Sequence, residues 1–292
     1  MKKFTKPLLA MSLLLGALGT VAAQETAAVM PPKVLSIIRE FVKPGKAGMS
    51  HEKTESAFVK SMREAKWPTH YLAVDALSGK PRTLFLTAFD SFAAVEKDAQ
   101  ATEKNAAFSA ALDHAGVVDG ELLSDTDSGT FMLREDYSLR PATDIPHMRY
   151  FQISIFHSRP GHEKEFDTLV KMYIAGYEKI SDVHWVTYQS VFGQEDGTFL
   201  VFTPMKSLSE VDRSFGQDKQ FGAAMGEEGM KKIGELSAAS IESSQTNLFA
   251  FNPRISYPSD DWVKADPDFW NPKPAHASAA SSKKSKDAAK AK

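Results

Sequence analysis

Apolar and polar positions along the chain follow the same order twice. An apolar run at 34–42 (VLSIIREFV) ends in Pro44-Gly45, and another at 150–158 (YFQISIFHS) ends in Pro160-Gly161. Each is followed by a segment with a helical period. In the later one, Phe166, Leu169, Val170, Tyr173, Ile174, Tyr177 and Ile180 recur at i, i+3, i+4, i+7, i+8, i+11 and i+14, which gathers them on one helix face. The earlier segment is poorer, with only Phe58, Met62 and Ala65 on that face. A pair of strand-like runs comes next: 70–77 with 82–89 across a Ser78-Gly79-Lys80-Pro81 turn, and 184–191 with 198–205 across a turn holding Gly193 and Gly197. Alanine-rich helical stretches (101–115, 217–240) and closing apolar runs (130–136, 247–252) complete each half.

Residues 34–137 therefore superpose on 150–257 with a shift of about 115 positions. The order in each copy is β-α-β-β-α-β, the split βαβ pattern of ferredoxin-like units, so the fold class is α+β. Such a unit has helices on one face of a four-stranded antiparallel sheet, and its other face should be polar if it meets water. It is not polar. Leu72, Val74 and Ala76 alternate with Tyr71, Ala73 and Leu77, so both faces of that strand are apolar and both must be covered. The cover available within the chain is the sheet of the other copy. The expectation is two ferredoxin-like repeats packed sheet to sheet, a monomer with pseudo-twofold symmetry or a weak homodimer. The boundaries read 33–140 for the first repeat, 147–257 for the second and 258–271 for a C-terminal strap carrying Trp262, Phe269 and Trp270.

The strands ending in Pro-Gly, together with the F-x-S-hydrophobic entry to the second helix at 89–95 and, loosely, at 205–211, make the chain resemble the dimeric α/β barrels. That superfamily includes antibiotic-biosynthesis-monooxygenase-like and NIPSNAP-like proteins. The resemblance spans about residues 33–255. It implies an intramolecular version of the barrel, and it admits cofactor-independent monooxygenase-like or haem-associated activity.

The two ends have a different composition. Lys2, Lys3 and Lys6 precede an apolar run at 8–18, and Val21-Ala22-Ala23 supplies the small residues of a cleavage site, so 1–23 reads as a secretory signal. On that reading the protein is exported, periplasmic or extracellular, with no transmembrane segment after cleavage. Residues 24–32 and the Lys/Ala-rich tail 272–292 lack the apolar content to pack and read as disordered. The net charge of −2 hides an acidic centre: once both lysine-rich ends are set aside, acids exceed bases by about ten. Nucleic-acid binding, which needs clustered cations, is not expected. There is no cysteine, which excludes disulfides, thiolate metal sites and a cysteine nucleophile.

Candidate chemistry is sparse. His70 and His184 hold the same repeat position, just before the second strand. By alternation His70 shares a face with Leu72 and Val74, and His184 with Val186 and Tyr188. Two imidazoles near a shared cavity could serve acid–base chemistry, or each could cap a strand end through a backbone hydrogen bond. Trp185 and His157 join this set, and Arg39, which stands with Glu40 in an otherwise apolar strand, is a candidate polar anchor or half of an edge ion pair. His51-Glu52-Lys53 and His162-Glu163-Lys164 echo each other at the start of the first helix, where glutamate suits the helix dipole. No metal-binding string, nucleophile elbow or phosphate loop occurs, so no metal site and no cofactor are expected, with haem as the alternative. The expected function is binding of a small apolar or aromatic ligand between the sheets. A structural or interaction protein with a filled core, and an enzyme of the kinds the resemblance admits, are the alternatives.

Overall fold

A computed structural model describes residues 28–272; the signal segment 1–23 and the lysine-rich tail beyond Pro272 lie outside them. The first unit holds β1 (Val34–Val42), α1 (Met49–Ala65), β2 (Tyr71–Ala76), β3 (Arg82–Phe89), α2 (Phe92–Lys104), α3 (Ala106–Gly120) and β4 (Leu123–Leu133). The second holds β5 (Tyr150–Ser158), α4 (Glu163–Tyr177), β6 (Val186–Phe192), β7 (Thr198–Met205), α5 (Ser209–Ser240) and β8 (Ile241–Phe251). Matching registers confirm the duplication: Ile37 lies opposite Leu86 in one unit, and Ile153 opposite Phe202 in the other.

The sheets do more than face each other. All eight strands form one closed antiparallel barrel in the order β1-β3-β2-β8-β5-β7-β6-β4. The seams are β2–β8, with Val74 opposite Phe251, and β4–β6, with Leu133 opposite Tyr188. Joining the units at their edges leaves no row of unpaired amides, which an open pair of sheets would expose. No second chain is needed to complete the barrel.

Alternation then assigns every strand residue to the lumen or to the helices. Leu35, Ile37, Leu72, Val74, Leu84 and Leu86 from the first unit meet Phe151, Ile153, Val186, Leu200, Phe202 and Phe249 from the second in one buried cluster. An eight-stranded barrel is just wide enough for such side chains to fill its waist. On the outer face of the second unit, Leu169 of α4 packs with Phe221, Ile233 and Leu236 of α5. The first unit differs, because α1 buries His51, Glu55 and Val59. Its thin apolar stripe is thus a polar inward face rather than a poorly packed helix.

The closing strands are longer than their apolar runs. The leading halves of β4 and β8, with sequences SDTDSG and ESSQT, are polar and largely exposed, and they extend the wall at one rim. The helix after β3 is split at Asn105, whose side chain caps α3 by accepting from Phe108 N at 3.2 Å. Its counterpart α5 continues through a kink at Gly226, where φ is 68°.

At the opposite rim the C-terminal residues form two short helices, α6 (Asp260–Ala265) and α7 (Pro267–Trp270). Trp270 is 1% exposed, and its indole donates to Pro146 O at 2.8 Å. Arg149 pairs with Asp266 and lies 3.9 Å from the centre of the Phe269 ring. Trp270→Ala should therefore destabilise the fold by about 3–5 kcal/mol, the cost of emptying a large aromatic site. Urea denaturation checks this, and a loss below about 1 kcal/mol would show that the strap is not part of the cooperative core.

Candidate functional site

The lumen is packed at its waist and opens toward the rim built by β4 and β8. A pocket of about 700 Å³ lies there. Its floor is apolar, made by Ile37, Leu84, Ile153, Leu200 and Phe249, and its upper wall carries Arg39, Arg82, His157, Gln194 and Asn247. A few polar groups above an apolar floor are the usual make-up of a small-molecule site.

The polar groups differ in how far they are already satisfied. Arg39 grips Asp127 with two bonds, at 2.5 and 2.8 Å, and donates to Gln194 Oε1 at 2.8 Å. It is spoken for. Arg82 donates to Lys80 O at 2.9 Å and lies 5.0 Å from the centre of the Phe249 ring. Among the described residues it has no carboxylate partner. Burial, and then the positive charge of Arg39, weaken its hold on its proton, although a guanidinium stays charged in proteins. Asn247 is 4% exposed, and its Nδ2 has no hydrogen-bond partner. A buried amide donor left unpaired costs about 1–3 kcal/mol. Both side chains crowd the β2–β3 turn at Gly79, where φ is +80°. A Cβ there would sit 2.6 Å from Asn247 Oδ1 and 3.2 Å from Arg82 Nη1, so the glycine serves both the turn and the pocket wall. A guanidinium without a carboxylate partner and an unpaired amide donor on the same pocket wall suit an anionic or acceptor oxygen.

His157 stands on the same wall, with Nδ1 held 3.0 Å from Thr198 Oγ1 and Glu195 at 3.9 Å. The opposite end of the lumen holds a second, more apolar pocket of about 510 Å³ lined by Leu35, Leu72, Tyr188 and Trp262. Its Tyr188 hydroxyl donates to Pro32 O at 2.9 Å, tying the N-terminal segment across that mouth.

The residues singled out in the sequence are thus dispersed. Arg39 and His157 line the larger pocket, and Tyr188 lies at the other end of the barrel. His184 Nε2 donates to Pro204 O at 3.0 Å, the strand-capping arrangement, and the ring lies with Trp185 in a cleft outside the barrel. The Trp185 indole donates to Tyr137 O at 2.8 Å. His70 packs its ring 4.7 Å from that of Tyr257. Alternation put His70 and His184 on the lumen side, but each precedes its strand, where the pleat no longer fixes direction. Arg82 and Asn247 were missed. Their signal was available: Arg82 is in phase with Leu84 and Leu86, and Asn247 with Phe249 and Phe251.

No protein-family model matches the sequence, and no curated protein matches it. Several solved structures are similar to the chain at low identity. A protein assigned as a monooxygenase from Fusobacterium nucleatum subsp. nucleatum is 11% identical, over 76% of this chain and 93% of that one, with a TM-score of 0.49. An anthrone oxidase-like protein is 14% identical over 75% and 92%, at 0.46. A chlorite dismutase variant from Candidatus Nitrospira defluvii, in complex with cyanide, is 9% identical over 76% and 92%, at 0.44. The barrel itself is established by its strand order and register.

The contrast between the two arginines is measurable. Arg39→Leu should cost up to about 1 kcal/mol, because the pair it breaks is roughly a third exposed. Arg82→Leu should leave stability within about 0.5 kcal/mol of the parent or raise it, as expected where a side chain is kept for binding. Equal losses in urea denaturation would show that Arg82 is held for the fold.

Proposed function

We propose that this is an exported small-molecule binding protein whose ligand has an apolar or aromatic body and an anionic head, and sits in the rim pocket of the barrel. The observation that carries the proposal is the pairing, above an apolar floor, of Arg82, whose guanidinium has a backbone carbonyl but no carboxylate partner among the described residues, with the unpartnered Asn247 Nδ2. A ligand carboxylate would accept from both while its body covers Ile37, Leu84 and Ile153. Export is supported by the sequence of residues 1–23 alone. A pocket of about 700 Å³ favours this reading over an interaction protein with a filled core.

An enzymatic reading with haem finds one histidine on the pocket wall, His157, with Nδ1 fixed by Thr198. An axial imidazole must lie over a slot that takes a flat, largely apolar ring. His157 instead stands at the polar rim, with its side chain 30% exposed and Glu195 beside it. The described residues of this wall do not fit a haem.

Titration calorimetry with 2-naphthoate, against uncharged 2-naphthylmethanol, tests the binding proposal. The carboxylate should bind at least about tenfold more tightly, the worth of a charge-assisted hydrogen bond. Arg82→Leu should erase that preference while leaving residual binding of the alcohol. Absence of any carboxylate preference in the parent protein would overturn the assignment.

A further inference from the structure

A second polar cluster lies outside the lumen, between the first unit's sheet and its helices. Glu40 of β1, His51 and Glu55 of α1, and Asp119 near the end of α3 converge there. One ligand-capable atom from each lies within 4.8 Å of all the others. His51 and Glu55 are four residues apart and so share a helix face. His51 Nε2 is 3.1 Å from Glu40 Oε2 and 3.7 Å from Asp119 Oδ1. Thr54 donates to Asp119, orienting it from behind.

The cluster is closed and short of positive charge. Glu55 is 2% exposed, His51 3% and Asp119 1%. Glu55 Oε1 and Asp119 Oδ2 are buried within it without a hydrogen-bond partner. Among the described residues no lysine or arginine pairs with Glu40, Glu55 or Asp119. Asp119 also sits at the negative end of a helix, where a carboxylate is disfavoured. Burial, then the Glu40 and Asp119 charges, push the Glu55 carboxyl up to about 10. Burial opposes a charge on His51, but its bond to Glu40 and the nearby acids raise its pKa.

The duplication shows that the fold does not require these charges. Glu40 lies opposite Thr83 in the β1–β3 ladder, and Phe156 lies opposite Phe199 in the equivalent β5–β7 ladder. Four residues beyond His51 comes Glu55, and four beyond His162 comes Phe166. In the second unit, Phe156, Phe166 and Phe199 pack there with Tyr137 as an apolar cluster. Replacing buried charges by packed apolar groups is commonly neutral or stabilising. Three carboxyl groups and an imidazole stand where an aromatic core suffices, an arrangement that a bound cation accounts for.

We propose that Glu40, His51, Glu55 and Asp119 form a binding site for one divalent transition-metal ion, which ties β1, α1 and α3 together. Three carboxylates and one imidazole suit Zn²⁺ or Mn²⁺. The closed setting, with one ligand held by Thr54, is that of a structural ion rather than one open to substrate. The linear sequence shows no metal string because three separate elements supply the ligands.

The test uses the full chain, stripped with a chelator and reloaded with Zn²⁺ or Mn²⁺. Native mass spectrometry should show one ion per chain, and the melting temperature should rise by about 5 °C or more at saturation. Electron spin echo spectroscopy of the Mn²⁺ form should show one imidazole nitrogen coupling that vanishes in His51→Asn. Glu55→Gln keeps shape and burial, so it should fold as stably as the stripped parent yet bind at least about a hundredfold more weakly. His157→Ala, in the lumen, should bind as the parent does. No ion retained by the parent, undiminished affinity in Glu55→Gln, or binding lost only in His157→Ala would each overturn the site.

Discussion

Closure of the barrel is the constraint from which the other features follow. Once β2 pairs with β8 and β4 with β6, every strand has a neighbour on both sides, and the two-residue period of the pleat divides all strand side chains into lumen and outer sets. The lumen of eight strands has a fixed width, so large side chains such as Phe151, Phe202, Phe249 and Phe251 fill the waist. They cannot fill the ends as well, because Arg39, Arg82, His157 and Asn247 occupy the in-phase positions near one rim. The pocket is therefore a consequence of where the apolar phase of the strands stops.

Duplication supplies an internal comparison that a single domain lacks. Both units place a strand pair and a first helix in the same relation, yet the space between them is aromatic in one and charged in the other. An aromatic cluster there provides dispersion contacts and needs no partner. A polar one must offset the desolvation of each carboxyl group, by a counter-charge or by retaining a proton. The backbone tolerates both solutions, which separates what the fold demands from what the first unit adds.

Much of the architecture could be read from period and punctuation. The Pro-Gly strand ends, the matched turns at Gly79 and Gly193, and the two-faced apolar strands led to a duplicated ferredoxin-like unit that covers its own sheets. Edge pairing was not legible, because the joining segments of β2 and β8 carry no sequence mark of their partner. The polar halves of β4 and β8 were not read as strands, since hydrogen-bonded neighbours rather than burial hold them there. The candidate sites were harder. His70 and His184 stood out by repetition, but repetition did not carry over to their contacts: His184 donates to Pro204 O, whereas His70 Nδ1 is buried without a hydrogen-bond partner. Arg82 and Asn247 stood out by nothing except phase.

Arg39 and Glu40 show why phase matters most here. Two adjacent charges in an apolar strand look like one anomaly. The pleat sends them to opposite faces, so they are two separate features. Arg39 turns into the lumen, where Asp127 and Gln194 hold it as part of the pocket wall. Glu40 turns outward, under α1, where it meets His51 at 3.1 Å. β1 is thus the common wall of the rim pocket and the buried acidic cluster, with one residue of the pair committed to each. Rigidity gained on the outer face, by whatever neutralises that cluster, would hold the strand from which Arg39 fixes the pocket rim.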